Sequence, residues 1–130
     1  MAYHVFVTAT RTDSDLAAEV ALHLQGGGAT VRQAAAPVGA ANVVDLGLRR
    51  ADEVIVILSP RSLHDPALMF ELGAAYSLHK RVTPVLMGVE EADLPQLVRQ
   101  LPWVHAADLG GYVADLEERV RRHRARGAGC

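Results

Sequence analysis

The strongest constraint on the fold is the run Val54-Ile55-Val56-Ile57-Leu58, five consecutive apolar residues, mostly β-branched, stopped by Ser59-Pro60. A strand buried on both faces, as at the middle of a parallel sheet, has this composition. Asp65-Pro66 follows, an N-cap residue and a proline at the first helical position, and this pair predicts a helix start. A second apolar run, Val82 to Met87, is bounded by Lys80-Arg81 and Gly88. The unit is therefore strand, loop, helix, strand. In an open parallel sheet, ligands bind outside the carboxyl ends of the strands.

The flanking sequence extends this pattern in both directions. Tyr3 to Thr8 is strand-like, and Leu16, Ala17, Val20, Ala21 and Leu24 keep helical spacing up to Gly26-Gly27-Gly28. Ala29 to Gln33 is a short second strand, and Asn42 is placed to cap a short helix running to Arg50, with Val43, Val44 and Leu48 inward. Leu94-Pro95 predicts a helix packed through Leu97, Val98 and Leu101, with the acidic Glu90-Glu91-Ala92-Asp93 before it. Pro102 to Ala106 is the expected last strand. Gly110-Gly111 opens a final helix with Tyr112, Val113, Leu116 and Val120 inward. Five strands alternating with five helices predict a doubly wound α/β sheet in the order 2-1-3-4-5.

At the expected carboxyl edge one acid, Glu71, stands in an otherwise apolar helix. Its neighbours three and four residues away are Ala67, Leu68, Ala74 and Ala75, so three of the four are small and none of them is a Lys or Arg. Two readings fit: a solvated glutamate near a helix start, which the dipole tolerates, or a functional carboxylate facing an open space.

The composition narrows the functional classes. A chain of 130 residues, half of them hydrophobic, fits one domain with a substantial core. Thirteen basic and 15 acidic residues give a net charge of −2, which implies no general attraction to nucleic acid or to a membrane surface. The single cysteine, Cys130, cannot form an intramolecular disulfide or a multi-cysteine metal site, and no histidine pair, His64 included, has metal-ligand spacing. No apolar stretch reaches the ~18 residues of a membrane span, and strand-like sequence begins too early to leave room for a signal peptide. The expected location is the cytoplasm.

Ser59-Pro60-Arg61-Ser62-Leu63, the acid in Phe70-Glu71-Leu72-Gly73-Ala74-Ala75, and Lys80-Arg81-Val82-Thr83-Pro84-Val85-Leu86, in that order, resemble a TIR (Toll/interleukin-1 receptor-like) domain of the bacterial type. The resemblance extends over roughly residues 3 to 120. It implies a flavodoxin-like fold, placed at residues 1–124 with 125–130 as a flexible tail or linker, and one of two functions: assembly for signalling, or cleavage of NAD+. In the cleaving members the acid corresponding to Glu71 is catalytic, and NAD+ is the substrate, with no cofactor or metal. Asp13 is a candidate match for an acid the family carries after its first strand. The loop Ala34 to Ala41, with Pro37, Val38 and Gly39, is the counterpart of the loop through which TIR domains meet one another, and the implied partners are other TIR domains and a fused or partner sensor domain.

Breaking a nicotinamide–ribose bond develops positive charge on the ribose, and nicotinamide leaves without protonation. One fixed carboxylate facing that charge is the minimum chemistry, by analogy with glycoside hydrolysis. Glu71 meets that need, and Thr8, Thr10, Arg11, Ser59 and Ser62 are the candidates to line the pocket, Arg11 by holding a diphosphate. Each of these also suits the capping of a turn. Other functions of this fold class fit poorly. A phosphoacceptor receiver needs clustered acids at the ends of strands one and three, where this chain has Thr8-Ala9-Thr10 and Ser59-Pro60. Thr8-x-Thr10-x-Thr12 resembles a flavodoxin phosphate loop, but Arg11 stands where a glycine would let the backbone wrap a phosphate. Two departures from TIR enzymes count against activity and keep a non-enzymatic adaptor as the runner-up to NAD+ cleavage: Ala67 occupies the position of a common Trp, unless Phe6, Phe70 or Tyr76 substitutes, and the polar end of the second strand is only Arg32-Gln33.

Overall fold

The computed structural model describes residues 2–34 and 46–128. Among them, five strands form one parallel sheet in the order β2-β1-β3-β4-β5. The strands are β1 (His4–Thr8), β2 (Thr30–Gln33), β3 (Glu53–Leu58), β4 (Arg81–Leu86) and β5 (Val104–His105). The helices are α1 (Ser14–Gln25), α2 (Leu46–Arg50), α3 (Pro66–Ser77), α4 (Gln96–Arg99) and α5 (Leu109–Ala128), with short 3-10 turns before α1, α4 and α5. The expected order and parallel pairing are both present.

The period of two along β1 and β3 sorts the core into two layers. Val5, Val7, Ile55 and Ile57 pack under α1 and α5, against Leu24, Tyr112, Leu116 and Val120. Phe6, Val54, Val56 and Leu58 pack under the other helices, against Leu48, Leu68, Leu72 and Val98. Every residue of β3 is buried, because it lies between β1 and β4 and is covered on both faces.

That burial extends to a charge. Glu53, the first residue of β3, is fully buried, and it accepts from the Tyr3 hydroxyl at 2.5 Å, from Arg119 Nε at 2.6 Å and Nη2 at 3.0 Å, and from the Tyr112 hydroxyl. Burial pushes the Glu53 carboxyl up, but the hydrogen bonds from Arg119, Tyr112 and Tyr3 outweigh it and hold the group below the ordinary carboxylate range. Desolvation and the same carboxylate push both tyrosine hydroxyls well above their ordinary value. The network ties α5 to Tyr3, just before β1, and to the first residue of β3, at the amino edge of the sheet. In the sequence Glu53 merely precedes the apolar run Val54 to Leu58, and its neighbours do not point to these partners.

Three boundaries differ from expectation. The last strand is two residues long rather than five: the β4–β5 ladder begins at Val85, just after Pro84, and proline has no N–H to add to a ladder. The acidic segment before α4 is itself a 3-10 turn, Glu91–Asp93, and α4 starts only after Pro95. At the carboxyl end α5 continues through Ala128, so residues 125–128, expected as tail, are helical. Asn42, Val43 and Val44 lie outside the described residues.

The end of α3 is closed by a Schellman motif: Lys80 N–H donates to Ala75 O at 3.1 Å and His79 N–H to Tyr76 O at 3.0 Å. His79 occupies the left-handed position at φ 60°, where glycine is usual.

Candidate functional site

The carboxyl edge of the sheet is built by three local decisions. β1 ends at Thr8, which is buried and paired with Val56 of β3. β3 ends at Leu58, and Ser59 to Leu63 turns tightly, with Ser62 N–H and Leu63 N–H both donating to Ser59 O. Asp65 then caps α3 through Leu68 N–H at 3.0 Å, with Pro66 in the first turn. The cap fixes where α3 begins, and so brings Glu71, in the second turn, over the end of β1.

Glu71 is half-buried, and its Oε2 accepts a hydrogen bond from Thr8 Oγ1 at 2.6 Å. That is a short hydrogen bond, within the ordinary range for a hydroxyl donor and an oxygen acceptor. One oxygen of the carboxylate is thus fixed by a residue rigidly held in the central sheet. Ala67 and Ala74, one turn away on either side, are half-buried and offer no bulk. Of the aromatic residues that could replace the missing Trp, Phe6 is buried in the core, whereas Phe70, next to Glu71, is 61% exposed and Tyr76 is 52% exposed.

A second carboxylate organises the neighbouring loop. Asp13 is buried, and its Oδ2 accepts from Ser59 Oγ at 2.9 Å and, more weakly, from Thr10 Oγ1 at 3.4 Å. Thr10 Oγ1 lies 3.0 Å from Thr12 Oγ1, and Asp13 N–H donates to Thr10 O at 3.0 Å. The β1–α1 loop is therefore fastened to the end of β3 by a carboxylate–serine bond between residues distant in sequence. Asp13 is a candidate from the sequence, but its partner Ser59 carries no signal in a pattern of neighbours.

The six candidates of the sequence reading are distributed unequally. Thr8 contacts Glu71 directly. Thr10 and Ser59 are both turned to Asp13. Arg11, in the 3-10 turn Arg11–Asp13, is exposed. Ser62 is fully buried, and its hydroxyl accepts from Ser59 N–H at 2.9 Å, so it holds the turn. His64 is exposed on the loop ahead of α3. Pro37, Val38 and Gly39 lie outside the described residues. No group of His, Cys, Asp and Glu that could hold a metal ion occurs among the described residues, and no helix among them is long and apolar enough to cross a membrane.

A family model described as "TIR domain" matches residues 5–121. The chain belongs to the TIR domain family. The match takes in every strand residue except His4, the first of β1, and ends inside α5, so the capped α3 and the carboxylate of Glu71 lie within the matched segment. A search of curated proteins found no match. The flavodoxin-like topology is that of the family, and family membership by itself leaves two functions, assembly and catalysis, on one fold.

Proposed function

We propose that this TIR domain cleaves the nicotinamide–ribose bond of NAD+, with Glu71 as the catalytic carboxylate. The observation that carries the reading is the placement of Glu71 at the carboxyl edge of the sheet, one oxygen fixed by Thr8 at 2.6 Å, in a wall of small side chains. As the bond to nicotinamide lengthens, its electron pair goes to the nicotinamide ring, which becomes neutral and leaves without a proton. The ribose carbon becomes positive, and a carboxylate fixed beside it stabilises that charge without reorganising. Water, or a nucleophilic nitrogen of the same molecule, then closes on the ribose carbon and releases a proton. Thr8 positions the carboxylate. Thr10 and Ser59, both bonded to Asp13, hold the loop that carries Arg11, and the exposed Arg11 pairs with the diphosphate. NAD+ is the substrate, and the reaction uses no cofactor.

The alternative is an adaptor that works through TIR–TIR contacts. Ala67 at the position of the common Trp favours it, as do the exposed Phe70 and Tyr76 on α3. In the enzymatic reading the same contacts serve activation: the loop carrying Pro37, Val38 and Gly39 meets a second copy, a fused or partner sensor domain enforces proximity, and the setting is cytoplasmic bacterial defence signalling. Nicotinamide release from NAD+, measured across a range of protein concentrations alongside light scattering, tests both. Release that rises per molecule with assembly supports the enzyme. Assembly with no release at any concentration supports the adaptor.

A further inference from the structure

A cavity of about 150 Å³ lies on the α2 face of the sheet, lined by His4 and Val5 of β1, Thr30 and Arg32 of β2, and Gly47 and Arg50 of α2. It is remote from Glu71. His4 and Thr8 stand at opposite ends of β1, a separation on the order of 13 Å for a strand of that length. We propose that this cavity binds a small phosphate-bearing anion, held by the guanidinium groups of Arg32 and Arg50 and the Thr30 hydroxyl, with His4 at its rim.

The strand register makes the convergence. His4 is paired with Thr30 and Phe6 with Arg32, so alternation puts His4, Thr30 and Arg32 on the face that Phe6 buries against α2. Helix α2 closes the other side with Arg50 in its last turn. Neither Arg32 nor Arg50 makes an ion pair among the described residues, although the chain has 15 acids for 13 bases. Two unpaired guanidinium groups around one concavity repel each other, and a bidentate oxyanion removes that repulsion while satisfying both. The carboxylate of Asp52 accepts from the backbone N–H of His4, a lining residue, at 2.8 Å through Oδ2. The Arg49 carbonyl at the end of α2, which would repel an anion, is already occupied by Lys80 Nζ at 2.8 Å.

Gly47 shows that the arrangement is close-fitting. A Cβ there would lie 3.0 Å from Arg32 Cδ and 3.0 Å from two carbons of the Phe6 ring. The missing side chain lets the aliphatic stem of Arg32 lie against the helix, and so holds the residue at the cavity wall. Phosphate fits this donor set because it offers oxygens to two guanidinium groups and a hydroxyl at once.

The test is titration of 15N-labelled protein with inorganic phosphate, against sodium chloride at matched ionic strength, and in parallel with ribose 5-phosphate. Saturable shifts at the amides of His4, Thr30, Arg32 and Gly47, with Thr8 and Glu71 unmoved, are expected. Tighter binding of ribose 5-phosphate marks a phosphate ester as the ligand, and equal or weaker binding marks free phosphate. Arg50→Gln, at an exposed position, should weaken binding by at least about tenfold with the fold intact, as expected for losing a charge-assisted bond. Arg32→Lys should retain more binding than Arg32→Gln. Shifts no different from those caused by chloride, shifts centred on Thr8 and Glu71, or unchanged binding in Arg50→Gln and Arg32→Gln would each overturn the proposal.

Discussion

Replacing Glu53 by Gln removes the only charge that β3 carries while keeping the side chain's shape. The wild-type carboxylate takes four hydrogen bonds from three residues, and Glu53 is fully buried while the Arg119 side chain is 19% exposed. Breaking a buried ion pair from one side costs about 3–5 kcal/mol, because the other charge is left without its counterion. Arg119 is not fully enclosed, and water can recover part of its solvation. The glutamine oxygen also keeps some of the donors satisfied. The expected destabilisation is therefore about 2–4 kcal/mol, still large beside a typical single substitution. For a domain of this size that corresponds to a fall in Tm of roughly 6–15 °C. Urea unfolding followed by far-UV circular dichroism, with and without Arg119→Met, measures it. The two changes should be non-additive, since the double variant has no stranded charge. A loss below about 1 kcal/mol, or strict additivity with Arg119→Met, would refute the view that this network fastens α5 to the sheet.

Four further outcomes follow from the same structure. Because the Glu53 carboxyl titrates lower when folded than when unfolded, its contribution is full above about pH 4.5 and is lost as pH falls below it; urea midpoints of Glu53→Gln should vary less across that acid window than those of wild type. The tyrosine hydroxyls of Tyr3 and Tyr112 titrate higher when folded, so stability should also decline above about pH 10, and Tyr3→Phe should reduce that alkaline slope. His79→Gly relieves a left-handed residue in the Schellman motif and should raise stability by about 1 kcal/mol; a decrease in thermal melting would contradict the strain argument. Thr8→Val deletes the hydroxyl that fixes Glu71, and is expected to slow nicotinamide release by about threefold to tenfold through loss of one hydrogen bond, with Tm changed by only a few degrees.

The parts of this fold that local chemistry encodes were readable in the sequence. Val54 to Leu58 is apolar at every position because β3 is covered on both faces, and Asp65-Pro66 starts α3 where the cap geometry requires. Glu71 was legible for the same reason: an acid flanked by alanines one turn away is conspicuous in a helix whose buried face is made of Leu68, Leu72 and Ala75. What the sequence concealed depends on contacts between distant residues. Glu53 looks like a polar strand lead-in until Tyr3, Tyr112 and Arg119 are brought to it across 50, 59 and 66 residues. Ser59 and Thr10 resembled pocket-lining hydroxyls, and the fold turns both to Asp13. The shortness of β5 has a local cause, Pro84, but in its neighbour β4, so the segment Pro102 to Ala106 alone could not reveal it. In the same way residues 125–128 read as part of a tail, whereas they continue a helix anchored by Tyr112, Leu116 and Val120.

The central claim is that the Glu71 carboxylate faces a ribose on which positive charge develops. The measurement that bears on it most directly is nicotinamide release from NAD+ by wild type and by Glu71→Ala, at equal concentration in preparations shown by light scattering to be equally assembled. Glu71 is half-buried and outside both core layers, so the substitution should leave Tm within a few degrees of wild type. Release should fall by about a hundredfold or more, as expected when a group that stabilises transition-state charge is removed. A folded, assembled Glu71→Ala protein that releases nicotinamide at the wild-type rate would contradict the account.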